Sequence, residues 1–343
     1  MLGHATLPTH SELFGPATSV AVAIPARRAL PSFRDQAAAA YELTKPRITR
    51  MVAVTAGVGF TLAAIGRPWT GLSLATAAFG CILGTGLSAS GANALNQWFE
   101  RDRDALMHRT RTRPLPENRL SAPAALSIGL ALGILGVLVL WALCGPAAAL
   151  VSAATIILYV LLYTPLKPVT ALNTLVGAVP GALPPVVGWA AAWSVGATTP
   201  WSAIVHPLIQ PAAWSLFLIM LVWQVPHVLA IAWMHREDYA RGGYRMLPMT
   251  DPTGRATALT MSVWAVTLIP VSLAPVLLLS DQLGWLYATI ALLLSGGFAL
   301  MCLRLLRYSD RTQVRMAFFA SIIHLPLVLM AMVADALLHV WLI

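Results

Sequence analysis

The sequence predicts an all-α membrane protein, a bundle of nine transmembrane helices, and three observations predict it. The 343-residue chain is 58% hydrophobic and only 10% charged, with a mean hydropathy of +0.74, too apolar for a soluble domain. Apolar runs follow one another at roughly 48–66, 71–92, 121–141, 145–163, 170–192, 212–233, 257–279, 283–303 and 316–341. Each is close to the ~20 residues that cross a bilayer. The basic residues alternate with these runs. If the N-terminus is cytoplasmic, every one of the 22 Lys and Arg except Arg67 falls on the cytoplasmic side.

Residues 1–40 precede the first run. They are rich in Pro, Ser, Thr and Ala, carry Arg27, Arg28 and Arg34, and contain no sustained apolar stretch. That composition reads as a disordered cytoplasmic tail, compatible with an organelle transit peptide and lacking the apolar core of a cleaved signal. Residues 41–343 then form one intramembrane domain. At its entrance the segment LTKPRITR places Lys45 and Arg47 at the cytoplasmic mouth of the first span, where they are candidates for phosphate contact. Given the one-sided charge, the net +9 reflects the positive-inside bias and not a nucleic-acid footprint. The same one-sidedness disfavours a pore or carrier open to both faces. Cys81, Cys144 and Cys302 lie singly in apolar runs, without metal-ligand or redox spacing.

The densest polar stretch, GANALNQWFERDRDALMHRTRTRPLP, follows the second run. Asn96, Glu100 and Asp104 stand four residues apart, so on a helix they climb one face about 6 Å apart. An amide and two carboxylates in that arrangement suit a hard divalent cation such as Mg²⁺, which takes carboxylate and phosphate oxygens. Arg109, Arg111 and Arg113 follow, and their guanidinium forks suit phosphate. In a soluble protein such spacing is commonly a salt-bridged surface; beside two membrane spans it is a candidate site for a metal-complexed diphosphate.

Two further segments carry polar groups on the same side. YTPLKPVTALNTLVGAVPGALPPVVGW holds Lys167, one of two lysines, with Tyr163 one turn before it and Asn173 and Gly177 on one face of the next helix. Lys167 is either a snorkelling interface residue or a cation that reaches a diphosphate from the far side of the pocket. Pro180, Gly181, Pro184 and Pro185 are expected to kink that helix. WQVPHVLAIAWMHREDYARGGYRMLPM places His227 and Asp238 eleven residues apart, one face of a continuous helix. Glu237, Asp238, Arg241 and Arg245 form a charged patch before Gly242 and Gly243 break the helix. A lone intramembrane His is as often a hydrogen-bonded structural group as a ligand, and His227 is held as a candidate contact to substrate.

These three segments, in this order, resemble the signatures of the protohaem IX farnesyltransferase (haem O synthase) family, within the UbiA superfamily of intramembrane prenyltransferases. The resemblance spans roughly residues 40–343. It implies a nine-helix bundle with a central cavity open to the cytoplasm, in the inner membrane of a bacterium or mitochondrion. It implies transfer of a farnesyl group from farnesyl diphosphate to a vinyl group of haem B, giving haem O for terminal oxidases, with Mg²⁺ as cofactor. A haem A synthase that consumes haem O is an implied partner, and nucleic acid is not. By the same resemblance Asn96, Glu100, Asp104 and Asp238 bind the metal, and Lys167 joins them as a catalytic group. Lys45, Arg47, Arg109, Arg113, Tyr163, Asn173, His227, Arg241 and Arg245 are then candidates for substrate binding. Quinone-type members carry another aspartate four residues before Asp238, where this chain has Met234. That departure and Glu100 favour the haem branch over a quinone prenyltransferase. The remaining alternative, a transporter or haem-binding assembly factor, leaves the Asn96–Glu100–Asp104 ladder unexplained.

Overall fold

The computed structural model describes residues 32–342, except residue 309. The part of the expected tail that falls within them is helical: α1 runs Phe33–Leu43. Ser32 and Asp35 cap it reciprocally, each side chain taking the other residue's backbone N–H. Ala39 and Leu43 bury against Ala94, Leu115, Leu120 and Ala125, which gives this short helix its tertiary anchor. Residues 33–40 are thus helical where a disordered tail was expected; residues 1–31 of that tail lie outside the described residues.

The spans follow as α2 (Pro46–Ala64), α3 (Gly71–Asp104), α4 (Ala122–Cys144), α5 (Pro146–Leu166), α6 (Asn173–Ser194) and α7 (Pro211–Met234). The short α8 (Arg236–Arg241) precedes α9 (Arg255–Leu278), α10 (Trp285–Arg304) and α11 (Arg311–Leu342). Among the described residues there is no strand. Eight of these helices are long and apolar enough to cross a membrane. The ninth, α2, carries Arg47 and Arg50 in its first turns, which lowers its hydropathy without shortening it. The chain is a multi-span membrane protein. Along the apolar stretch of α6, 72% is buried against only 22% for α4, so α6 lies at the centre and α4 faces outward.

Helix breaks and close approaches shape the interior. α6 divides at Leu183, between a half that contains Pro180 and a half that opens on Pro184 and Pro185, as the prolines predict. α2 lies against α6 at backbone distance. A Cβ on Gly188 would come within 1.8 Å of the Ala56 carbonyl, and one on Gly59 within 2.0 Å of the Pro185 carbonyl. Small residues at a helix crossing are the membrane substitute for a hydrophobic driving force. α3 has 34 residues and is about 50 Å long, well beyond the run 71–92. Its last turns are polar and project from the apolar layer, so the ladder is part of this helix. The three cysteines are free and buried.

One expectation is corrected here. His227 and Asp238 do not share a helix face, because α7 stops at Met234 and His235 leaves helical geometry (φ −116°, ψ 25°) before α8 begins.

Contacts between elements bring the start of α2, the ends of α3 and α5, and the segment around α8 together at one end of the bundle. Arg67, the exception among the basic residues, lies after α2 with its guanidinium 4.3 Å from the Trp193 ring centroid, near the end of α6.

Candidate active site at the charged end of the bundle

The ladder on α3 is buried: Asn96 is 1%, Glu100 5% and Asp104 1% exposed. Wetted rungs would need no partners, whereas buried carboxylates do. Each rung meets a cation from a different element. Lys45 Nζ donates to Asn96 Oδ1 at 3.0 Å, Lys167 Nζ lies 2.7 Å from Glu100 Oε1, and Arg113 Nη1 lies 2.7 Å from Asp104 Oδ2. Two carboxylates thus face three cations, and the net positive charge suits a polyanion. Asn96 also donates through Nδ2 to Thr164 Oγ1 (3.1 Å), which binds this rung to α5.

The local backbone explains how these cations arrive. Lys45 caps α2 in left-handed geometry (φ 48°, ψ 64°), unusual for a non-glycine residue and more so before a proline. Gln97 Nε2 donates to Leu43 O (2.7 Å), and Asn93 Nδ2 reaches Thr44 O (3.4 Å) and Thr49 Oγ1 (3.3 Å), so α3 itself clamps the bend. On the other side, residues Leu158–Tyr163 of α5 form a π-helical turn, a distortion common at functional sites. Tyr163 ends it with its ring 4.7 Å from Lys167 Nζ, packed where a Cβ on Gly177 would come within 2.4 Å. Tyr244, also buried, stands 5.9 Å from Lys167 Nζ.

Several sequence candidates are placed differently from expectation. Asn173 is fully buried, and its amide donates to the carbonyls of Thr170 (2.5 Å), Arg245 (2.8 Å) and Lys167 (3.3 Å). These bonds engage the donors of Asn173, the residue expected to contact substrate, and tie the Lys167 and Arg245 segments together. Arg245 works through its main chain too, its N–H donating to Lys167 O at 2.9 Å, while its side chain is exposed. Arg47 is exposed on the first turn of α2; Lys45 reaches the ladder instead. Arg109 is exposed beside Tyr239, with Nη2 3.4 Å from the phenol oxygen.

Asp238 is engaged away from the other three expected metal ligands. Its Oδ1 accepts from His108 N (3.0 Å), its Oδ2 from Arg109 N (3.1 Å), and it pairs with Arg241. These contacts anchor the loop after α3. Among the described residues no three His, Cys, Asp or Glu side chains gather into a metal cluster. The ladder nonetheless fits Mg²⁺. Buried Asp104 Oδ1 has no hydrogen-bond partner, and Glu100 Oε1 has the Lys167 charge beside it without an aligned hydrogen bond. One or two carboxylates completed by substrate phosphates are the usual protein share of a Mg²⁺ site.

Electrostatics outside the spans follow from these contacts. Burial works to raise the Asp238 carboxyl, but Arg241 and the two backbone N–H groups hold it down to about 2. Burial works to lower Lys167, yet Glu100 and the nearby tyrosines keep it well above the usual lysine value. Burial, with Arg113 and Lys167 nearby, pushes Lys45 down to about 7.

His227 lies apart from the ladder, at the α7–α11 seam. Its ring stacks between Trp223 (4.6 Å, 17°) and Phe318 (5.4 Å, 22°), with Nδ1 2.7 Å from Ser321 Oγ. Ser321 Oγ gives its own hydrogen to Phe318 O (2.5 Å), so Nδ1 donates and Nε2 keeps its lone pair.

Comparison with known proteins decides the family. Residues 51–323 match the UbiA prenyltransferase family. The chain belongs to that family. It is 42% identical over 301 residues to a protoheme IX farnesyltransferase of Solibacter usitatus, covering 86% of this chain and 97% of that one. The corresponding human mitochondrial enzyme is 35% identical over 84% of this chain and 60% of its own. Among solved structures, a digeranylgeranylglyceryl phosphate synthase shares the fold with a TM-score of 0.69 at 14% identity, over 88% of this chain and 99% of that one. A UbiA homologue from Archaeoglobus fulgidus bound to GPP and Mg²⁺ does so at 0.57 and 16% identity, over 86% and 99%.

The chemistry-bearing residues that sequence reading missed are supports: Asn93, Gln97, Thr164, Tyr244 and Ser321. Asn93 and Gln97 carried a signal, since they repeat the four-residue step of the ladder one strip away on the same helix. The others are isolated polar groups in apolar segments, and only contact distinguishes them.

Proposed function

We propose that this enzyme transfers a farnesyl group from farnesyl diphosphate to the vinyl group of protohaem IX, making haem O. The observation that carries the reading is the pairing of each ladder rung with its own cation, in a family of prenyltransferases whose haem-farnesylating members are similar over most of the chain. Breaking the allylic carbon–oxygen bond puts charge on the departing diphosphate. Lys45, Arg113 and Lys167 are already oriented to receive that charge, so little reorganisation accompanies bond breaking. Mg²⁺, held by Glu100 and Asp104 with the Asn96 amide beside them, would neutralise further charge on the diphosphate. The farnesyl chain lies along the apolar interior, where water that would capture an allylic cation is excluded. Tyr159 and Tyr163, whose rings are 5.5 Å apart beside the ladder, present π-faces toward a developing cation. His227, with Nε2 free to accept or ligate, contacts the haem.

The same reading sets the charged end toward the cytoplasm, N-terminus inside, in the cell inner membrane or its mitochondrial counterpart. A haem A synthase downstream would receive the product. The test is product mass. Purified protein in lipid is given haem B, farnesyl diphosphate and Mg²⁺, with and without EDTA. A hydroxyethylfarnesyl haem that vanishes with EDTA is the expected result. Prenylation of a quinone precursor in its place would overturn the acceptor assignment, and haem binding without transfer would overturn the enzymatic one.

A further inference from the structure

An opening lies between the end of α7, α8 and the start of α11. It is a cleft of about 410 Å³, bordered by Trp233, Met234, Arg236, Glu237, Arg311 and Val314. Its cations differ in kind from those of the ladder. Arg241 at its edge is engaged by Asp238. Arg236 and Arg311 are exposed into the opening, and among the described residues neither has a carboxylate within ion-pair distance. Two guanidinium forks on two different helices therefore face one cavity with their hydrogen-bonding capacity open.

Behind the cleft, deeper along the same two helices, lies the packed seam that holds His227. On α11, Arg311, Val314, Phe318 and Ser321 recur at steps of three and four, one stripe of the helix. Phe318 and Ser321 are the residues in contact with His227. On α7, His227 and Met234 are seven residues apart, two turns, so the imidazole lies about 10 Å deeper than the rim. The seam is thus cationic at its mouth, aromatic behind it, and carries one imidazole nitrogen with a free lone pair. A complementary ligand has a flat aromatic body that enters the apolar layer and carboxylates along one edge that stay at the rim. A metal-complexed diphosphate belongs at the other site, because the orphaned carboxylate oxygens that would take its metal are on α3.

Given haem as the acceptor, as proposed above, we propose that Arg236 and Arg311 hold its two propionate carboxylates. The acceptor's polar edge is then docked at a site separate from the prenyl diphosphate ladder. The two substrates enter by different mouths and meet inside the bundle.

Optical titration of the full-length protein in nanodiscs, with protohaem and with its dimethyl ester, tests this. Wild type is expected to bind protohaem about tenfold or more tightly than the ester, the size of a pair of charge-assisted contacts at a partly wetted rim. The double variant R236Q/R311Q should lose that preference through weaker protohaem binding, while R236K/R311K recovers most of it. The KM for farnesyl diphosphate should stay unchanged in both, which also reports that the fold and the ladder are intact. If R236Q/R311Q binds protohaem as wild type does, or weakens protohaem and ester alike, the propionate assignment is overturned while haem farnesylation stands. A wild type that binds neither compound and makes no farnesylated haem overturns the acceptor reading, and this inference with it.

Discussion

At the scale of single residues, the site is defined by which charges are buried together. Asp104 is 1% exposed, pairs through one oxygen with Arg113 and leaves the other without a hydrogen-bond partner. Asp104→Ala should lower turnover by about 10²-fold or more, since it removes a preorganised charge at the leaving group. Product mass against time, with size-exclusion to confirm a folded protein, checks this; normal activity would remove Asp104 from the site. Lys167 and Glu100 form a more enclosed pair, at 2.7 Å with side chains 15% and 6% exposed. Lys167→Met leaves Glu100 buried without its partner and should cost about 3–5 kcal/mol of stability. Adding Glu100→Gln should restore much of the stability and none of the activity. Thermal unfolding and turnover of the two variants separate the structural from the chemical role.

At the scale of elements, the cations reach the ladder because helices stop, bend and approach at particular places. α3 holds the Lys45 bend, and further along α2 the crossing with α6 depends on Gly188. Gly188→Ala would press a methyl into the Ala56 carbonyl and force the helices apart, at a cost of about 3 kcal/mol. Thermal unfolding in detergent measures it, and a variant as stable as wild type would show that the crossing yields freely. The loop after α3 depends on a different contact, the Asp238 carboxylate that receives His108 and Arg109. A carboxyl held below its ordinary value stabilises the fold only while ionised. That contribution is complete above the ordinary 3.8 and is lost as pH falls toward about 2. Wild type should therefore lose stability through this window more steeply than Asp238→Asn, as thermal unfolding against pH will read; parallel curves would discard the latch.

At the scale of the whole molecule, the charge asymmetry places all the chemistry at one end. Arg67 at the other end rests on Trp193, far along α2 from Lys45. Arg67→Ala should leave turnover within about twofold, the range of an exposed cation–π contact. A large loss would mean that the two ends are not functionally separate. A single charged end also suits substrates that are amphiphilic in the same sense, each with a charged group at the interface and an apolar body within the bilayer.

Much of this was legible in the chain. Span number follows from hydropathy because the bilayer demands runs of fixed length, and the segregation of charge to one end of the bundle follows from the positions of Lys and Arg. The ladder follows from a four-residue step because helix geometry converts spacing into a shared face. Those are local or compositional properties, and local sequence determines them. Tertiary structure alone decided which cation meets which rung, since Lys45, Arg113 and Lys167 come from three separate segments. It also gave Asn173 and Asp238 backbone partners far away in the chain, Arg245 O for one and His108 N for the other. It separated His227 from Asp238 with a helix break at His235 that no proline or glycine announces. Spacing can place a side chain on a face, but what waits opposite that face depends on segments far away in the chain, and the energy of a buried polar group depends almost entirely on that partner.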